Sequence, residues 1–502
     1  MSAHAPTSGS SSGSPSASST GATVTPLNSR REEPLAQVSM RTTFQQMHGL
    51  SRSEPAPTVA QRRAHLDKLE AAIRRYQPQI IEAIDADFGG RSRYETVIAD
   101  IFPLILSLQH TRKHLARWAK PRSAPVHWAF QPASAEVIPQ PLGVVGIISP
   151  WNYPIQLALS PLISALAAGN RALIKPSELT PRSSALLAQL VAETFAPDHV
   201  AVIQGGVDIA EAFGRLPFDH LIFTGSTRIG ALVMRAAADN LTPVTLELGG
   251  KSPAIVHPDH PLEHAVDRIL AGKMLNAGQT CIAPDYVLLG RGKAREFVEH
   301  ARAIVAKRYP TLLDNADYTA VVNDRQYQRL TSWLQDAEAK GATLMPLNPA
   351  NEALPAERRK LPLTLVINPT EDMTVMQDEL FGPILPLVEV DNIEAAIRYV
   401  NAHPRPLALY YFDRDKSRAR ELLGRTVAGD VTVNDTMLHI VQEELPFGGV
   451  GPAGMGAYHG KRGFDTFSHL KGVFWQSRLN AAGLMSPPYG KRLDQLLSVL
   501  MS

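Results

Sequence analysis

A single cysteine, Cys281, occurs in 502 residues, so no internal disulfide can form and a cysteine-based metal site is all but excluded. Net charge is nearly absent. Fifty basic against 48 acidic residues give +2, with no block of one sign, which argues against nucleic acid or an anionic membrane as main partner. Long apolar runs are missing too. The longest, Leu157–Gly169, is interrupted by Ser160, Pro161 and Ser164 and reads as a buried helix. No basic stretch followed by an apolar core opens the chain, and Leu493–Leu500 is too short for a membrane anchor, so neither a secretory signal nor an anchor is expected. Scarce cysteine fits a reducing compartment, and the cytoplasm is the expected location.

What is present is a chain too long for one core, so two or three domains are expected. Residues 1–40 stand apart. Ser8–Ser16 has no large apolar side chain and cannot offset its ordering entropy, so this stretch reads as a disordered tail, with order from about Met40. Apolar residues at helical spacing mark Ala60–Arg75 and Pro103–Trp118, and Val126–Pro139 reads as a hairpin or extended arm. From Pro141 strands and helices alternate: Leu142–Ile148, a helix to Ala168, Ala172–Ile174, a helix opened by Pro181 with Thr180 as its expected cap, then Val200–Gln204, His220–Thr224 and Val244–Leu248. Such alternation means a parallel sheet, whose ligands sit beyond the carboxyl ends of its strands. A second αβ region, Ser252–Asn434, precedes glycine-rich turns at Pro446–Gly456 and a last β-like stretch, Gly472–Trp475.

Five constellations fall at strand ends or turns, and each has two readings. Cys281, in Gly278-Gln279-Thr280-Cys281, is either a buried small hydrophobe or a nucleophile that needs an electropositive neighbour to ionise. Glu247, before Leu248-Gly249-Gly250-Lys251, is a strand-end carboxylate paired with Lys251, or a desolvated general base. Asn152, between Trp151 and Tyr153, makes an Asx-turn or donates to an oxyanion. The turn Thr224-Gly225-Ser226, ahead of Gly230, can present helix N–H groups to a diphosphate, although the Gly-x-Gly-x-x-Gly fingerprint is missing. Lys175 and Glu178 form a surface ion pair or hold ribose hydroxyls.

Together and in this order the motifs resemble the aldehyde dehydrogenase superfamily, over about Thr42–Trp475. Glu247-Leu248-Gly249-Gly250-Lys251 and Gly278-Gln279-Thr280-Cys281 are the specific marks. Val431–Asp435, Leu445–Gly451, Gly456–Lys461 and Phe464–His469 narrow the resemblance to the class 3 branch, and within it to bacterial members acting on coniferyl aldehyde.

The resemblance implies an α/β fold with two parallel αβα domains and a small β oligomerisation arm. Residues 41–120 and 142–247 would bind the dinucleotide, 248–445 would be catalytic, 121–141 and 446–480 would form the arm, and 481–502 a C-terminal extension. It implies Cys281 as nucleophile, Glu247 as base, and Asn152 with the Cys281 N–H as oxyanion hole. Lys175 and Glu178 would take the adenosine ribose, and Gly225, Ser226 and Gly230 the diphosphate. Leu248 would border the cofactor, Glu379 would hold the nicotinamide ribose and Phe381 would lie beside the ring. NAD is the implied cofactor, with NADP possible. No metal is implied, and the partner is a second copy in a homodimer. The implied reaction is oxidation of an aromatic or unsaturated aldehyde, such as coniferaldehyde, to its acid through a cysteine thioester. A medium-chain aliphatic aldehyde is the alternative substrate. A CoA-acylating relative is disfavoured by Glu247, and a silent structural protein on the same fold by the complete set of Cys281, Glu247 and Asn152.

Overall fold

A computed structural model describes residues 35–480 and 482–501. Most of the serine-rich tail lies outside the described residues. Helix begins at Leu35, ahead of the expected onset at Met40, because Met40, Phe44 and Met47 give it a buried face against the first sheet. The next helix, Val59–Phe88, outruns the expected Ala60–Arg75 and carries Pro78 inside it. A capping box between Thr58 and Gln61 starts it and left-handed Gly89 stops it.

The chain then lays down a short arm, β1 (Arg122–Ala124) and β2 (Ser134–Pro141). Five strands follow: β3 (Val144–Ile148), β4 (Arg171–Lys175), β5 (Val200–Val202), β6 (His220–Thr224) and β7 (Val244–Glu247). The helix between β3 and β4, Gln156–Ala168, is buried at every residue, in keeping with its mostly apolar sequence. Seven more strands make the second region: β8 (Pro253–Val256), β9 (Tyr286–Gly290), β10 (Thr343–Pro346), β11 (Thr364–Ile367), β12 (Ile384–Val390), β13 (Ala408–Phe412) and β14 (Asp430–Val433). Last come β15 (Gly454–Met455) and β16 (Ser468–Trp475).

These strands form three sheets among the described residues, in the orders β15-β7-β6-β3-β4-β5, β10-β11-β12-β9-β8-β13-β14 and β1-β2-β16. The two large sheets are parallel except where β15 joins β7 and β10 joins β11. In the first, order reverses at the β3–β6 pair, the crevice where such sheets bind ligands. The small sheet pairs β2 with β16 from Ser134↔Trp475 to Pro141↔Ser468. The expected arm segment 446–480 is thus divided: β16 is in the arm, whereas β15 closes the first sheet beside Glu247.

One local expectation fails. Thr180 makes no cap hydrogen bond to the helix Pro181–Thr194. Asp87, from the end of the helix Val59–Phe88, accepts the N–H groups of Arg182 and Ser183 at 3.0 and 2.8 Å instead. A carboxylate is a better acceptor than a hydroxyl at the positive end of a helix. Among the described residues no helix is long and apolar enough to cross a membrane.

Candidate active site

The carboxyl ends of β3, β6 and β7 face the segments that enter β8, β9 and β12, and a cavity of about 660 Å³ lies between them. Asn152, Ser226, Glu247, Cys281, Glu379 and Phe381 all line it. Asn152 and Phe381, 229 positions apart in the sequence, therefore share one space. Glu247 is the last residue of β7, and the chain crosses from one large sheet to the other directly after it, through Leu248–Ser252. Antiparallel β15 holds that end, with Gly454 opposite Glu247 and the Leu248 N–H on the Ala453 carbonyl.

Cys281 is presented by a loop that the helix Leu262–Met274 cannot continue into. Asn276, Ala277 and Gly278 have φ of +55, +51 and +73°, three left-handed residues in a row. Only glycine suits the last of them, since a Cβ there would sit 2.4 Å from the Gly382 carbonyl oxygen. Gln279 holds the loop in this shape: its amide donates to the Asn276 and Ala320 carbonyls and its oxygen accepts from Val322 N–H. Asn152 is joined to the same network. Its Nδ2 donates to the Gln279 carbonyl at 3.2 Å, and its own carbonyl accepts from Asn276 Nδ2 and Arg91.

Arg91 is one of several residues here that motif reasoning missed. It is fully buried and pairs with Asp100 at 3.1 Å. Asp100 sits on a π-helical turn, Val97–Ile101, and accepts the first N–H groups of the buried helix after Asn152. A buried ion pair is costly unless its hydrogen bonds are met, so its place under Asn152 marks it as a scaffold for that residue. Tyr153 turns away from the cavity: its hydroxyl meets Thr280 Oγ1 at 2.6 Å and its ring lies under Arg91. Trp151 does line the cavity, edge-on to Phe381 with ring centres 5.3 Å apart.

The other expected residues divide into cavity and support. Gly225 and Ser226 open the helix Thr227–Ala238, whose first N–H groups have no side-chain cap, and Ser226 is exposed at the cavity. Gly230 and Leu248 stand behind them. A Cβ on Gly230 would press to 2.6 Å from Leu248 Cδ2, so the pair brings the helix close to the end of β7. Glu379 passes so near Gly249 that a Cβ there would lie 1.9 Å from its Oε2. Lys251, expected as a partner for Glu247, pairs with Asp285 and donates to the Val375 and Asp378 carbonyls, holding the segment that carries Glu379. Lys175 and Glu178 lie at the end of β4, outside the cavity lining. The Lys175 ammonium donates to the Pro176 carbonyl and is 3.8 Å from Glu178.

A model of the aldehyde dehydrogenase family matches residues 41–473, most of the chain. The chain belongs to this family. A probable coniferyl aldehyde dehydrogenase of Pseudomonas aeruginosa is 52% identical over 89% of this chain and 92% of its own length. A coniferyl aldehyde dehydrogenase of a Pseudomonas species is 49% identical over 88% and 92%. Family 3 aldehyde dehydrogenases also match. Among solved structures, a substrate-bound state of Staphylococcus aureus AldH superposes with a TM-score of 0.87 at 36% identity, covering 92% of this chain and 99% of that one. An NAD⁺ complex of a Bacillus cereus aldehyde dehydrogenase gives 0.78 at 26% identity, covering 88% and 89%. This aldehyde dehydrogenase is therefore an oxidoreductase acting on an aldehyde with a nicotinamide cofactor.

Electrostatics at the centre of the enzyme oppose charge. Burial, with the Glu379 and Glu247 carboxyls nearby, pushes the Cys281 thiol up to about 12. Glu247 is raised well above the ordinary carboxyl range, first by burial and then by Asp430, and neither of its oxygens has a hydrogen-bond partner among the described residues. Glu379 is raised to about 8 by burial and Asp285, and its Oε1 is likewise unpaired. Lys273, one turn before the cysteine loop, is fully buried and lowered to about 8, chiefly by burial. Nothing in the sequence beyond its place in an apolar stretch pointed to it. Unpaired buried carboxyl oxygens are costly, and here they face a cavity able to admit a ligand.

Proposed function

We infer that this enzyme oxidises an aromatic or α,β-unsaturated aldehyde, coniferaldehyde first among them, to the acid through a thioester on Cys281, with NAD⁺ preferred. The observation that carries the mechanism is the convergence of Cys281, Glu247 and Asn152 on one cavity. Cys281 releases its proton to water, the thiolate attacks the carbonyl carbon, and the carbonyl oxygen becomes an alkoxide stabilised by the Asn152 amide and the Cys281 N–H. A bound nicotinamide supplies the hydride acceptor. The residues present fit that group: unpaired Glu379 for ribose hydroxyls, the free helix start at Ser226 for diphosphate, and Phe381 beside the ring. Glu247 then takes a proton from water as it attacks the thioester, the C–S bond breaks, and the acid leaves.

The substrate assignment draws on the coniferyl aldehyde dehydrogenases at 52% and 49% identity and on Trp151 in the cavity wall. A flat conjugated ring packs well on such a wall. Coniferaldehyde and benzaldehyde should give higher kcat/KM than hexanal or acetaldehyde. If hexanal exceeds both aromatic aldehydes tenfold, about 1.4 kcal/mol of transition-state preference, the enzyme is a medium-chain aliphatic aldehyde dehydrogenase instead.

Cofactor preference turns on Glu178. Its exposed carboxylate beside Lys175 accepts from ribose hydroxyls and repels a 2′-phosphate. Initial rates at varied cofactor should give a higher kcat/KM for NAD⁺ than for NADP⁺, and equality would remove Glu178 from this role.

The enzyme should also be a homodimer. Among the described residues strand β16 pairs only with β2, leaving one edge open, and Leu470, Phe474 and Trp475 on it are exposed. An open apolar edge favours pairing across a two-fold axis. Light scattering at micromolar concentration should give twice the chain mass, and a monomer mass would refute the pairing.

A further inference from the structure

Away from the catalytic cavity, on the helix Phe102–Trp118, His110 and His114 stand one turn apart and face Glu444 on the loop after β14. One ligand atom from each of the three lies within 4.8 Å of the others. His114 Nδ1 meets the His110 carbonyl at 2.9 Å. A carbonyl only accepts, so Nδ1 carries the proton and Nε2 is left as a free lone pair, the arrangement that orients metal-binding imidazoles. His110 Nε2 is buried, has no hydrogen-bond partner among the described residues, and stands 3.4 Å from Glu444 Oε1. Trp118 stacks on the His114 ring and fixes its plane. Ser107 and the Gly460 N–H both donate to Glu443, which anchors the loop beside Glu444.

We propose that His110, His114 and Glu444 form a site for a borderline divalent transition cation of the Zn²⁺ type, separate from the catalytic centre. Two imidazoles and a carboxylate leave a fourth tetrahedral position for water. Ligand atoms of such an ion stand about 3.4 Å apart, and the Glu444 side chain, 67% exposed, is free to close the remaining distance. The ion ties the helix Phe102–Trp118 to the segment that leads into β15, the strand paired with the end of β7 at Glu247. Its effect is therefore to stiffen the wall behind the general base. A single cysteine excludes only a cysteine-based site, and these three ligands come from a helix and a loop more than three hundred residues apart.

The test is titration of the untagged, metal-stripped enzyme with Co²⁺, read by its visible d–d bands and by equilibrium dialysis. One Co²⁺ per chain should bind, and Zn²⁺ should bleach the bands and raise the melting temperature. His114→Asn and Glu444→Gln should each weaken binding tenfold or more and abolish the Zn²⁺-dependent rise, with metal-free melting temperatures unchanged. Glu444 is exposed, so its variant reads binding without a folding defect. Absence of saturable binding at millimolar Co²⁺ would overturn the site. So would binding that survives both substitutions, or binding that carries a thiolate charge-transfer band from Cys281.

Discussion

Cys281→Ser should abolish aldehyde oxidation, by ~10³-fold or more in kcat, while leaving cofactor binding intact. Even the thiol is held up to about 12 by its surroundings, and a hydroxyl, a far weaker acid, would be further from ionisation at the same spot. A bound oxidised nicotinamide would bring a positive charge to the cavity, which would favour the thiolate of Cys281. NADH production measured over a single turnover, with cofactor binding followed by fluorescence, separates the two effects. A serine variant that keeps more than a few per cent of wild-type turnover would exclude Cys281 as the nucleophile.

Glu247→Gln should leave the first turnover and stop the second. Hydride transfer does not need the carboxylate, so a burst of NADH close to one per active site should appear. The steady-state rate that follows should fall ~10²–10⁴-fold, the usual contribution of a general base. The burial that raises Glu247 also sets the pH dependence. A carboxyl raised well above its ordinary range stays protonated until pH passes the raised value, and only the ionised form accepts a proton from water. Wild-type turnover limited by deacylation should therefore climb as pH rises through that raised value, and the climb should vanish in the glutamine variant. Stopped-flow traces across pH provide both readings. Loss of the burst together with the steady state would give Glu247 some other role.

The sequence by itself determined the strand–helix alternation from Pro141, the buried helix before Ala168, and Cys281, Glu247 and Asn152 as the residues to watch. Each of these is local. Apolar periodicity dictates which face is buried, and Glu-Leu-Gly-Gly-Lys and Gly-Gln-Thr-Cys are contiguous. Only the tertiary structure decided how they meet. Cys281 comes from the entry side of the second sheet, not from a strand's carboxyl end, because the chain changes sheets immediately after Glu247. It also decided the partners that no contiguous motif records. Arg91 and Asp100 support Asn152 from the helical region before the arm, Asp87 replaces Thr180 as a helix cap, and Lys251 serves Asp285 rather than Glu247. Buried charges and orphan N–H groups take whatever partner the packing brings within reach, and that choice is made between elements far apart in the chain.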